Sequence, residues 1–148
     1  MNWSEKCLLE LTHHNMFDSS DHRLRFRDLL DCFHTSPFFS KELAKCMYTS
    51  TWDEYHFAEI LVTLNEMTIA EDTDCTMLKE QLETDEVRCD TDDSYVFRLC
   101  LSFINHTMYR EPDYPTIDPE ISHIIKQGLK VSEYIDELPE IVIDKPRR

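Results

Sequence analysis

The chain has 148 residues, 30 of them acidic and 15 basic, and a formal net charge of -15. It contains one glycine, so a dinucleotide fingerprint, a P-loop and a nucleophile elbow are excluded by counting, because each needs several residues without a Cβ. The same scarcity argues against a mostly β fold, whose tight hairpins draw on glycine. The eight Phe, six Tyr and two Trp argue against disorder.

Helix signals recur in chain order. Asn2 and Glu5 form a capping box ahead of Trp3, Cys7, Leu8 and Leu11. Phe26, Leu29, Leu30 and Phe33 repeat at i, i+3, i+4 and i+7 after Asp21. Ser36-Pro37 reads as an N-cap followed by proline at the first helical position, leading into Phe39, Leu43, Cys46 and Met47. Thr51 with Glu54 reads as a second capping box, opening a helix to about Thr68. A short helix is expected from Asp74 to about Thr84, and one capped by Asp92 or Asp93 to about Arg110. Pro112 and Pro115 break the pattern, and Asp118-Pro119-Glu120 starts the last helix. Ile121, Ile124, Ile125, Gly128, Val131, Ile135 and Leu138 continue one stripe, favouring a single helix with Gly128 as a close-packing contact over a break there.

These signals predict an all-α, single-domain bundle of six or seven helices over residues 1–148, with 139–148 as an extended or frayed tail. Two segments are apolar around most of the wheel at 100° per residue, about 52–68 and 93–110. Helices of that kind are usually buried, so these two are expected at the centre. The polar stripe of the first holds His56, Glu59, Thr63 and Glu66; that of the second holds Tyr95, Arg98, Ser102, Asn105, His106 and Tyr109. If the stripes face each other, His56, Glu59, Glu66, Tyr95, Arg98 and His106 line a polar ligand pocket inside the bundle. If each faces water, they are wet edges.

Half of the excess charge lies in residues 71–93, with ten acids against Lys79 and Arg88. A solvated face and a docking surface both fit such a run. Direct nucleic-acid binding does not, because neutralising phosphates requires clustered Lys and Arg. The docking alternative places a basic protein partner against Asp85, Glu86, Asp90, Asp92 and Asp93.

Four of seven histidines follow an acid by three residues: Glu10/His13, Asp31/His34, Asp53/His56 and Glu120/His123. That spacing puts both side chains on one helical face. It reads as local acid–imidazole pairing, or as part of the carboxylate–histidine set of a di-metal bundle. No spacing assigns a catalytic role, and no cofactor is implied. The six cysteines show no CxxC pair; Cys7, Cys32, Cys46 and Cys100 fall in apolar patterns and are expected to be small buried thiols. No secretory signal and no membrane-length apolar run is present, so the expected compartment is cytoplasmic. The function class that follows is a small acidic protein-interaction module of the inhibitor or immunity type. The alternative is a bundle holding a metal pair or small ligand between its central helices.

Overall fold

The computed structural model describes residues 1–142; residues 143–148 of the expected tail lie outside them. Among the described residues the chain forms seven α-helices and no strand. They are α1 (Trp3–His13), α2 (Ser20–Phe33), α3 (Lys41–Ser50), α4 (Glu54–Ile69), α5 (Thr76–Arg88), α6 (Asp93–Asn105) and α7 (Pro119–Asp136), with a 3₁₀ turn at Tyr114–Thr116 before the last. The all-α bundle is the architecture the periodicities predict. Gly128 lies inside one continuous α7. No described helix is long and apolar enough to cross a membrane.

Short polar side chains start most helices by taking a backbone N–H that has no partner within the helix. Asn2 accepts from the Glu5 N–H at 2.9 Å and Asp118 from Glu120 at 2.8 Å, as the sequence predicts. Two caps differ from expectation. Ser36 and Pro37 do not open α3; they form a turn closed by the Phe39 N–H on the Ser36 carbonyl (3.0 Å), with proline in the second position that suits its fixed φ. The cap of α3 is Ser40. Likewise Thr51 does not open α4. Its hydroxyl bonds back to the Met47 and Tyr48 carbonyls and closes α3, leaving Asp53 as the cap of α4.

Helix ends are closed without glycine. Asn15, Glu71 and His106 adopt left-handed φ near 55–57°. Each sits in a Schellman arrangement, in which the next N–H reaches five residues back: Met16 to Leu11, Asp72 to Met67 and Thr107 to Ser102, all at 3.0 Å. Helix α6 therefore stops at Asn105 and not near Arg110. Helix α5 likewise starts two residues later than expected and runs on to Arg88.

The centre of the bundle is α3 and α6. Every residue of α3 from Leu43 to Ser50 is buried. Its faces are covered by α6 and α7, while α5 packs along α6. The expectation that 52–68 is also central is corrected. Helix α4 buries one side only, through His56, Ile60, Thr63, Leu64 and Met67; Tyr55, Val62 and Ile69 face water. At Gly128 a Cβ would stand 3.1 Å from both Leu99 Cδ2 and Thr49 Oγ1, so α7 approaches α3 and α6 as closely as backbone allows. The tail is held as it leaves α7: Trp3 Nε1 donates to the Pro139 carbonyl (2.8 Å) and Lys41 Nζ to that of Leu138 (2.7 Å). Cys7, Cys46, Cys75 and Cys100 are buried, but Cys32 is exposed on the outer side of α2, against expectation.

Candidate functional site

The acidic run 71–93 spans the α4–α5 loop, α5 and the α5–α6 loop. Residues 51–70, which include α4, add four acids and no base. One edge of the bundle thus carries fourteen of the thirty acids against two bases. The five acids expected to meet a partner are not equivalent there. Asp93 Oδ1 lies 3.2 Å from His56 Nε2. Glu86 accepts from Arg98 Nε at 2.6 Å, Asp85 from Gln81, and Asp92 from the Asp118 backbone N–H at 2.8 Å. Asp90 is exposed, as are Glu80 and Glu83 on α5, and no hydrogen bond or ion pair engages these three side chains among the described residues.

Beside these acids runs the outer face of α4. Tyr55, Val62 and Ile69 follow one another at seven-residue steps, so they drift by only about 20° per step and form one line about 21 Å long. They are 56%, 56% and 84% exposed. Glu66 and Glu59 fall next to this line on the wheel. The Tyr55 phenol shows the local field: burial raises its pKa first, and the charges of Glu59, Asp85 and Asp93 raise it further.

The inner face of α4 holds His56, which is 3% exposed. Asp53 Oδ1 accepts both the His56 backbone N–H (2.9 Å) and Nδ1 (2.7 Å). These bonds lower the Asp53 pKa against the raising effect of its own burial. An ionised Asp53 only accepts, so Nδ1 carries the proton. Nε2 is within ion-pair range of Asp93 but misaligned for a hydrogen bond, and Trp52 Nε1 nearby is also unpartnered. A cavity of about 20 Å³ lies between α3, α4, α5 and α6, bordered by Cys46, His56, Glu59, Asp85 and Cys100. That is room for one water molecule and far from the volume of a drug-sized ligand.

Burial raises the Glu59 pKa at the edge of this cavity, and Asp85 beside it adds to the effect. A carboxyl whose folded pKa is raised contributes its stability at low pH and loses it as pH rises through that value. Glu59→Gln is therefore expected to unfold at higher urea than the wild type at pH 7. The difference should vanish as pH falls below the ordinary glutamate value of about 4.3. Equal midpoints at pH 7 would remove the strain assigned to this group.

The two polar stripes do not face each other. Helices α4 and α6 share no backbone packing among the described residues, and His56 reaches α6 at Asp93 and Phe97. Glu66 is exposed on α4. Arg98 is exposed, paired with Glu86 and stacked 5.1 Å over the Tyr95 ring. His106 sits exposed at the end of α6, 3.7 Å from Glu42. The acid–histidine pairs are equally dispersed. Asp53/His56 forms, but His14 takes Glu10, His34 bonds to the Leu30 carbonyl, and His123 takes Asp18. Among the described residues no three His, Cys, Asp or Glu side chains converge in a way that fits a metal ion. Comparison with family models, with curated proteins and with solved structures finds no match for this chain.

Proposed function

We propose that this protein is a non-enzymatic interaction module that docks a basic protein partner on its α4–α5 edge. The observation that supports the reading is the segregation of charge, with fourteen acids and two bases in residues 51–93. Exposed carboxylates at this density raise encounter rates with a cationic partner and select it by sign, an effect that salt weakens.

The internal bonds of Asp85, Glu86, Asp92 and Asp93 decide which residues test the idea. Reversing those four would break contacts within the fold as well as alter charge. Glu80→Lys, Glu83→Lys and Asp90→Lys, combined, change the net charge by six units at exposed positions only. Untagged wild-type protein, enriched gently from its own cells and examined by native mass spectrometry, is expected to carry an added basic protein. With that partner in hand, the triple variant should associate at least tenfold more slowly at low salt and with a flatter salt dependence. Association kinetics unchanged by the triple reversal would sink the reading.

A further inference from the structure

The acidic edge is not uniformly polar. Tyr55, Val62 and Ile69 form an exposed apolar line down the middle of α4's outer face, with Ala58 exposed beside it. Contiguous exposed apolar surface rimmed by charge marks interaction sites in folded proteins. Resting on the reading above, we propose that this line is the seat of a cationic amphipathic helix of the partner. That helix would lay its apolar face along Tyr55–Val62–Ile69 and its basic flank against Glu59, Glu66 and the α5 acids.

Three features set the chemistry of the occupant. First, the line is straight and about 21 Å long, which matches about four turns of a second helix. Its seven-residue step is the spacing that an i, i+3, i+4, i+7 face meets. Second, one border of the line is acidic, with Glu59 and Glu66 on α4 and Asp85 beside Glu59, while the exposed Ala58 and Asn65 form the other border. Third, the sign of that border disfavours another copy of this chain. Two such faces brought together would oppose Glu59 and Glu66 to their equivalents, and like charges in contact are repulsive. A basic helix removes that repulsion and covers the apolar line at once.

The test uses the whole protein and two labelled peptides of about 18 residues with identical lysine and leucine content. One has leucine at i, i+3, i+4 and i+7; the other is scrambled so that no face is apolar. Binding is read by fluorescence anisotropy at low and moderate salt, with Val62→Ser/Ile69→Ser and the triple reversal Glu80→Lys/Glu83→Lys/Asp90→Lys as variants. Val62 and Ile69 are mostly exposed, so their replacement leaves the fold intact, and a circular-dichroism melt checks this. The expected result is at least tenfold tighter binding of the amphipathic peptide, with that preference lost in Val62→Ser/Ile69→Ser. Equal binding of the two peptides, with both weakened by the triple reversal, overturns the apolar seat and leaves the acidic docking reading standing. No binding of either peptide overturns both. Concentration-dependent dimerisation in sedimentation, abolished by Val62→Ser/Ile69→Ser, overturns the proposal in favour of a second copy.

Discussion

Gly128→Val is expected to lower the free energy of unfolding by about 3 kcal/mol, the upper part of the usual range for overpacking a core. The cause is local. A Cβ alone at this position stands 3.1 Å from Leu99 Cδ2 and from Thr49 Oγ1, and valine adds two further carbons where α3, α6 and α7 meet. Gly128→Ala is the control. It gains about 1 kcal/mol of helix propensity against a contact that needs a few tenths of an ångström of adjustment, so it should fall within about 1 kcal/mol of the wild type. Urea denaturation of the three proteins checks the order. If valine cost no more than alanine, the close approach of these helices would be wrong.

The second large effect depends on pH. His22 is buried beside Tyr48, with Nε2 bonded to the Tyr48 carbonyl at 3.0 Å and Nδ1 unpartnered. Burial lowers its pKa to about 4, outweighing the Tyr48 bond and Asp18, which push the other way. The unfolded chain then binds a proton near pH 6.5 that the folded chain does not take up until about pH 4. Stability rises with pH wherever the unfolded state holds more protons. This group should therefore cost about 3 kcal/mol between pH 6.5 and 4. His22→Gln keeps an amide donor and does not titrate. Its starting stability drops through lost ring packing, but its stability should fall less steeply than the wild type's across that window. Asp53, whose pKa is lowered, acts below the ordinary aspartate range of about 3.9 and so outside it. Parallel pH profiles for the two proteins would contradict the assignment.

The fold class was legible because it rests on periodicity, and six of the seven helices carry a clear stripe or cap. Helix ends were less legible for a specific reason. The usual stop signal is glycine at the left-handed position, and here Asn15, Glu71 and His106 take it. Nothing distinguishes His106 in sequence from a helical histidine, so periodicity alone extends α6 to about Arg110. Helix α4 shows a different gap. The segment is apolar around most of its circumference, and apolarity alone does not decide which of its faces is covered. The inner face turned out to be the one with His56 and Thr63, both buried and hydrogen-bonded. The face left outside carries Tyr55, Val62 and Ile69.

The candidate site divides along the same line. The charge of 71–93 is additive along the chain and could be counted. Which acids are spoken for could not, because Glu86–Arg98, Asp92–Asp118 and Asp93–His56 join different elements. The acid–histidine pairs failed for a related reason. Spacing of three residues brings side chains onto one face but does not decide between partners, and Asp18 reaches His123 from another part of the chain at 2.8 Å.

The burial of α3 also bears on how the chain emerges during synthesis. Its buried run ends at Ser50, yet the helix that covers one of its faces begins at Pro119. At ribosomal rates of about 5–20 residues per second, roughly 70 intervening residues take about 4–14 s. For that interval Thr49, which packs against Gly128, and Lys45, which pairs with Asp136, have no final partner on the α7 side. Until α7 leaves the exit tunnel, α3 therefore lacks part of its cover, a state that exposes normally buried side chains. A ribosome stalled before residue 119 should display a polypeptide that proteases cut within residues 41–50, whereas the released protein resists them there.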